Sequence, residues 1–398
     1  MGDHGPTENG LAPVQQNRLI GSVGNVAHQA PKWLFRFGSY ELAIVEFDDQ
    51  GVYHDPGQMR GLAETLSDLR ENGKDVIIVV FVHGWKHDAR SDDGNLADFR
   101  KVLEQAIYYE EQQAKSQSPP QAPRPVVGVY VGWRGMSLYD NRFHVLENIT
   151  FWGRQAAGRR VATGSVRELF GHLRYYHRKR KEEGGSPLFV VVGHSFGGMI
   201  VYGALAQALI EAAATPEVPP SLADLVLLVN PAIEAARYLP IPNAVVKESQ
   251  TSQARVQQPQ PPIFVCVQAK NDWATRFAFR IGNLFSSLVQ KAKDRRQRQA
   301  IRNTIGHVPR IKTHDLAAGS ATDGGTGYKL SPSAQDGVNT TPFWVVQATP
   351  EVINGHGGIF KDRFLYFVAG LVFRHVDDTT GRTPNMALQA HALARPSS

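Results

Sequence analysis

The sequence contains a single cysteine, Cys266, among its 398 residues, which excludes an internal disulfide. This cysteine lies in the apolar run IFVCV, so we expect a buried structural thiol rather than a catalytic one. There is no run of about 18 apolar residues, and residues 364–373 are better interpreted as a buried helix than as a membrane span. The first residues lack the basic start and apolar centre of a secretory signal, so we expect a cytoplasmic protein.

The charge of the chain is moderately positive, with a formal net charge of +6. Basic residues cluster at 177–181 and at 291–302. Such clusters are usually solvated helix faces, and weak contact with an anionic surface is their functional interpretation. Because aromatic residues are not interleaved with these cations, we expect no nucleic-acid partner.

Seven apolar runs rich in Val and Ile are expected to form strands: residues 40–47, 76–82, 126–133, 188–193, 224–229, 263–269 and 343–348. Strands without polar alternation are typical of a sheet buried on both faces. Helices are expected between them, near 96–115, 151–178, 196–214, 273–302 and 359–373. This alternation predicts an α/β fold with a mostly parallel central sheet covered by helices on both faces.

The composition divides the chain into a flexible polar leader, residues 1–30, a single α/β domain, residues 31–375, and a flexible tail, residues 376–398. Two long connections rich in Pro and Gly, 232–262 and 303–342, are candidate lid segments. In a parallel sheet, ligands bind beyond the carboxyl ends of the strands. Residues that directly follow the apolar runs are therefore the first candidates for a site.

One such position holds the motif Gly-His-Ser-Phe-Gly at residues 193–197, between a predicted strand and a predicted helix. A nucleophile on a tight strand-to-helix turn needs room for the backbone, and Gly193 and Gly197 flank Ser195 at two residues on either side. Here the chain resembles the serine esterases and lipases of the α/β-hydrolase superfamily, over about residues 75–375. The resemblance implies an α/β-hydrolase fold in which Ser195 attacks an ester.

The resemblance also implies an oxyanion hole. His83, Gly84 and Trp85 follow the predicted strand 76–82, similar to the His-Gly-X turn of the family. The backbone N–H groups of Trp85 and Phe196 would then be the two donors. Gly84 would let the chain approach the substrate, and His83 would support the turn.

The remaining catalytic residues are implied in the order Ser, acid, His along the chain. Asp272 follows the strand 263–269 and is the favoured acid, with Glu234, one strand earlier, as its competitor. His356 follows the last strand and is the favoured base, with His307 and His314 as fallbacks. The triad would be Ser195, Asp272 and His356.

Tryptophans follow several strand ends, and Trp133 and Trp273 are candidate substrate-binding residues. Aromatic walls there predict a small ester substrate with an apolar acyl or alcohol group. For Trp133, packing beneath a loop is an equally good interpretation.

Neither a metal nor a cofactor is expected. His83 and His87 are four residues apart, but their spacing crosses a strand end and no third ligand is nearby. The sequence therefore predicts a carboxylesterase or lipase-like serine hydrolase that works through an acyl-enzyme. The alternatives are a thioesterase or amide hydrolase, or an inactive copy of the fold used as a binding module.

Overall fold

The computed structural model describes residues 34–37, 40–84, 87, 89, 92–133, 147–215, 222–251, 261–275, 293–319, 327–333 and 341–376. The predicted leader, and the predicted tail beyond residue 376, lie outside this part of the chain.

The described residues form an α/β fold around one sheet of ten strands. In chain order the strands are β1 Leu34–Phe37, β2 Tyr40–Phe47, β3 Ile77–Val82, β4 Val126–Trp133, β5 Leu188–His194, β6 Leu225–Val229, β7 Phe264–Ala269, β8 His314–Ala318, β9 Tyr328–Pro332 and β10 Phe343–Ala348. All seven apolar runs of the sequence are among them.

The spatial order of the strands is β1-β2-β4-β3-β5-β6-β7-β10-β8-β9. The pairs β1–β2 and β8–β9 are antiparallel at the two ends of the sheet. Every pair between them is parallel. The predicted mostly parallel sheet is therefore confirmed, and the carboxyl ends of β3, β5, β6, β7 and β10 meet at one edge.

Helices cover both faces of the sheet. They are α1 Pro56–Glu71, α2 Gly94–Ser116, α3 Glu147–Thr163, α4 Val166–Glu182, α5 Phe196–Ala214, α6 Ala235–Tyr238, α7 Pro240–Thr251, α8 Arg295–Arg302 and α9 Asp362–Gly370, with 3₁₀ turns at Ile305–His307 and Pro309–Ile311 and a π-helical segment at Leu371–Val376. Alternate strand residues pack into two hydrophobic clusters, one under α1, α3, α4 and α5 and the other under α2 and α9. This two-sided burial is why the strand sequences lack polar alternation.

Helix α1 was not expected from the sequence, although its start carries a clear signal. Asp55 caps it, because its carboxylate accepts the N–H of Gly57 at 2.8 Å, and Pro56 follows at the first helical position. Both features are typical of helix starts. The expected helix 151–178 is divided into α3 and α4 at Gly164 and Ser165.

Helix α5 is the longest apolar helix among the described residues. Its length and composition are sufficient for a membrane span, but half of its most apolar window is buried inside the fold. It packs against α3, α7 and β5. These contacts are those of a core helix.

The two candidate lid segments contain regular structure where they are described. Segment 232–262 carries α6 and α7, and segment 303–342 carries β8 and β9, which extend the sheet beyond β10. Cys266 is fully buried in β7, as predicted, and burial raises the pKa of its thiol.

Candidate active site

Ser195 occupies a strained turn between β5 and α5. Its backbone angles are φ 56° and ψ −120°, in a region that residues other than glycine rarely adopt. The turn is held on both sides, because the Ser195 N–H donates to the carbonyl of Val229 at 3.1 Å and its carbonyl accepts the Ala232 N–H at 3.1 Å. Strain of this kind costs about 1–3 kcal/mol and persists only where the surrounding fold imposes it.

The glycines around the turn let three backbone segments approach each other. A Cβ on Gly193 would lie 2.8 Å from the Cα of Gly198, and one on Gly197 would overlap the carbonyl of Val82 at the end of β3. A Cβ on Gly84 would lie 2.9 Å from the Cβ of Ser195. All three distances are too short for any larger residue, so these positions need glycine.

The structure brings Ser195, His356 and Asp272 together, each after a different strand. Ser195 Oγ lies 2.8 Å from His356 Nε2, and His356 Nδ1 lies 2.9 Å from Asp272 Oδ2. The side chain of His356 is 28% exposed, whereas that of Asp272 is fully buried. The three side chains therefore form one hydrogen-bonded chain, in which the central histidine is the most exposed member.

Asp272 is held ionised by its neighbours. Burial alone would raise the pKa of this carboxyl, but the hydrogen bond and charge of His356, with two hydrogen bonds from Thr275, lower it to about 2. Gln268 Nε2 donates a further hydrogen bond to Oδ2 at 2.9 Å. Since a carboxylate can only accept, the proton of the Asp272–His356 bond belongs to His356 Nδ1.

Two asparagines position the loop that carries His356. The side-chain amide of Asn230, directly after β6, donates to the carbonyls of Gly355 at 3.2 Å and His356 at 2.9 Å. Asn271 accepts the Gly355 N–H at 2.9 Å and donates to Asn354 Oδ1 at 2.8 Å. The backbone of the loop is thus fixed to the ends of β6 and β7.

His194, beside the nucleophile, is a second contact of this loop. Its Nε2 donates to the carbonyl of His356 at 3.0 Å, and the two rings lie 4.9 Å apart. Burial, with a smaller contribution from His356, lowers the pKa of His194 to about 3. His194 is therefore neutral near pH 7 and places no positive charge beside His356.

The alternative acid and bases lie in other environments. Glu234 Oε1 pairs with Arg159 at 3.1 Å. His307 Nδ1 bonds Thr304 at 2.8 Å. His314 contacts Thr313, and burial lowers its pKa to about 4. In the described residues, neither Glu234 nor these two histidines contacts the chain of Ser195, His356 and Asp272.

The predicted His-Gly turn is described as far as Gly84, and Trp85 lies outside the described residues. His83 is fully buried, accepts the Trp133 N–H on Nε2 at 3.2 Å and bonds the Gly84 carbonyl through Nδ1 at 2.8 Å. Both ring nitrogens of His83 are thereby used to shape the turn. Phe196 begins α5 and is buried.

The two candidate substrate-binding tryptophans differ in exposure. Trp133 is only 3% exposed, stacks on His83 and donates its indole N–H to the His83 carbonyl at 2.9 Å. Trp133 therefore packs beneath the turn at His83, which is the alternative that the sequence left open beside a substrate-binding role. Trp273, which directly follows Asp272, is 66% exposed.

Sequence reasoning missed Asn230, Gln268, Thr275 and Asn271. A signal exists for Gln268, because it is a polar residue in the otherwise apolar run IFVCVQA. Asn230 has a positive φ of 46° directly after a strand, a conformation for which asparagine is enriched. The sequence does not indicate which loop the side chain of Gln268 or of Asn230 contacts.

Among the described residues, no group of three or more His, Cys, Asp or Glu side chains is placed to hold a metal ion. Comparison of the chain with protein-family models, with curated proteins and with solved structures gives no match.

Proposed function

We propose that the protein is a serine hydrolase with an α/β-hydrolase fold, which cleaves a carboxylic ester through an acyl-enzyme intermediate. The observation that carries this proposal is the hydrogen-bonded chain from Ser195 through His356 to Asp272. Nucleophile, base and orienting acid within hydrogen-bond reach are the requirement for an activated serine.

The fold supports the same conclusion. Ser195 follows β5 on a strained turn into α5, Asp272 follows β7 and His356 follows β10. A serine on a strand-to-helix turn, followed along the chain by acid and histidine, is the arrangement of the α/β-hydrolase superfamily.

The proton positions follow from the contacts. Because His356 Nδ1 donates to the ionised Asp272, Nε2 carries the free lone pair and accepts the Ser195 hydroxyl. As Oγ forms its bond to the ester carbonyl carbon, the hydroxyl proton moves to Nε2. The imidazolium is stabilised by the Asp272 carboxylate, which stays ionised throughout.

The two half-reactions then balance. When the tetrahedral intermediate collapses, the bond to the alcohol oxygen breaks and that oxygen takes the proton from Nε2. Water attacks the acyl-enzyme, giving one proton to Nε2, and the Ser195–acyl bond breaks as Oγ recovers that proton. The products are an alcohol and a carboxylic acid, and Ser195 and His356 return to their starting states.

The negative oxygen of the intermediate needs donors. Helix α5 begins at Phe196, so its N-terminal N–H groups and the positive end of its dipole are directed towards the space beside Ser195. We assign the Phe196 and Trp85 N–H groups to the oxyanion hole. Removing one such donor commonly costs about 3 kcal/mol of transition-state stabilisation.

The test is hydrolysis of a panel of p-nitrophenyl esters with different acyl lengths, with thioesters and anilides in parallel. We expect turnover of esters by the wild type and a loss of at least about 10³-fold in Ser195→Ala. Preferred turnover of thioesters or anilides would redefine the substrate class. Equal rates for wild type and Ser195→Ala would contradict the proposal.

A further inference from the structure

The two basic clusters of the sequence have different surroundings. In α4, every Lys and Arg of residues 177–181 lies beside a carboxylate: Arg178 and Lys179 beside Glu182, Arg180 beside Asp75 and Glu183, and Lys181 beside Asp224. The charge of this cluster is therefore neutralised within the fold.

The second cluster, at α8, is not neutralised. Residues 293–302 carry five basic side chains, at Lys293, Arg295, Arg296, Arg298 and Arg302. In the part of the chain that the structure describes, none of the five makes an ion pair closer than 4 Å. The one carboxylate of the segment belongs to Asp294, which caps the helix by accepting the Gln297 N–H at 2.8 Å and lies near the charges of Arg296 and Lys293, so it offsets only one of the five positive charges.

The cations of α8 are directed outwards. Ala300 is buried and anchors the helix to the fold, while all five basic residues are exposed. On an α-helix, residues at the spacing of Arg295, Arg298 and Arg302 share one face, and Ala300 lies on the opposite one. The result is a cationic face that the described fold leaves exposed to solvent.

The carboxyl-terminal end of helix α8 is joined by backbone hydrogen bonds to the segment that contacts Ser195. The carbonyl of Ser195 accepts the N–H of Ala232 at 3.1 Å. Residues 232–235 are also joined to the chain just after α8. The Ala235 N–H donates to the Asn303 carbonyl at 2.8 Å, and the Ile305 N–H donates to the Ile233 carbonyl at 3.2 Å.

We propose that the exposed cationic face of α8 docks the protein on a bilayer that contains anionic phospholipids. The charge of this face complements an anionic headgroup surface, to which each Lys or Arg adds roughly 1 kcal/mol. Trp273, exposed beside Asp272 at the same edge of the sheet, is a residue type enriched at membrane–water interfaces.

A bilayer fits this face better than a nucleic acid does. Sequence-tolerant binding of single strands uses aromatic side chains on which bases stack, and residues 293–302 contain none. A further consequence rests on the proposed function: the bilayer would present the Ser195 site with esters that have apolar groups, since such molecules partition into membranes. The docking itself requires no turnover.

The test is co-sedimentation of the full chain with vesicles of phosphatidylcholine containing about 30 mol % phosphatidylserine, at roughly 0.1 M salt. We expect binding of the wild type and a roughly 30-fold lower partition coefficient for Arg295→Gln/Arg298→Gln. The control with the same change in net charge is Arg178→Gln/Lys179→Gln on α4, which should lower the coefficient only a few-fold.

Four outcomes would overturn the proposal: no binding of the wild type to these vesicles, equal binding to pure phosphatidylcholine, equal losses for the two double variants, or an α8-dependent affinity for single-stranded RNA without affinity for vesicles. The variant Ser195→Ala separates the docking proposal from the proposed ester hydrolysis. If it binds vesicles like the wild type, docking is supported whether or not the wild type hydrolyses esters.

Discussion

Two of the histidine–aspartate pairs in the described residues lie at opposite edges of the sheet. At the carboxyl edge, His356 lies 2.9 Å from Asp272, and at the amino edge, in front of β6, His177 lies 2.7 Å from Asp224. Neighbouring groups lower the pKa of both carboxyls even though burial opposes this shift. The two pairs are therefore alike in the histidine–carboxylate distance and in the direction of the carboxyl pKa shift.

Their third partners are different. The ring of His356 reaches the hydroxyl of Ser195, whereas Asp224 also pairs with Lys181 at 2.7 Å and accepts the backbone N–H of Phe189 at 2.8 Å. The contacts with Lys181 and the Phe189 N–H hold Asp224 within the fold at the start of β6. A histidine–aspartate pair activates a nucleophile only where the fold holds that nucleophile against the free ring nitrogen, as the turn at Ser195 does.

The largest effect is expected when the acid at the carboxyl edge loses its charge. In Asp272→Asn, an amide no longer holds the proton on His356 Nδ1, so turnover of a p-nitrophenyl ester should fall about 10³–10⁴-fold. Asp224→Asn is the matched control, and its turnover per folded molecule should stay within about twofold of the wild-type value. Loss of turnover in Glu234→Gln instead of Asp272→Asn would show that the acid is assigned wrongly.

Replacing each histidine by alanine should affect stability and turnover in opposite order: His177→Ala should cost more stability, and His356→Ala should cost more turnover. His177→Ala removes the ring nitrogen that lies 2.7 Å from the buried carboxylate of Asp224, so the free energy of unfolding should fall by about 3 kcal/mol in urea titrations. His356→Ala leaves the buried Asp272 with the hydrogen bonds of Thr275 and Gln268, so it should cost less stability, about 2 kcal/mol, while abolishing most turnover. If His177→Ala lowers turnover of the folded protein as strongly as His356→Ala does, the comparison between the two edges fails.

The smallest effect concerns stability in acid. The pKa of Asp272 is lowered to about 2 in the folded protein, so its contribution is fully present above the unfolded value of about 4 and is lost as the pH falls towards 2. The contribution is about 2 kcal/mol. Urea titrations at pH 5 and at pH 2.5 should therefore show a larger loss for the wild type than for Asp272→Asn, and equal losses would contradict the assigned shift.

The central strands could be predicted from the sequence because burial on both faces leaves unbroken Val and Ile runs. Strand β9, which has partly exposed residues and ends at Pro332, gives no such run, and neither does β8. Nor does the sequence state the spatial order of the strands, which depends on how the helices pack across them. The break between α3 and α4 at Gly164 also depends on a distant part of the chain, since a Cβ there would overlap the Gly51 carbonyl, more than a hundred residues earlier.

The candidate site could be predicted in outline, because residues after parallel strands meet at one edge. The proximity of Ser195, Asp272 and His356 follows from that rule. The contacts that fix His356 do not, since the amide of Asn230 reaches a loop 125 residues away. The burial of Trp133 was also open, because an aromatic residue at a strand end fits a core face and a pocket wall equally well.

Reaction of the folded protein with a fluorophosphonate probe, followed by peptide mapping, tests directly whether Ser195 is an activated nucleophile. We expect one adduct, on Ser195, which is absent in Ser195→Ala, forms at a much lower rate in Asp272→Asn and forms at an unchanged rate in Asp224→Asn. An unlabelled wild type, or an adduct on another residue that persists in Ser195→Ala, would contradict it.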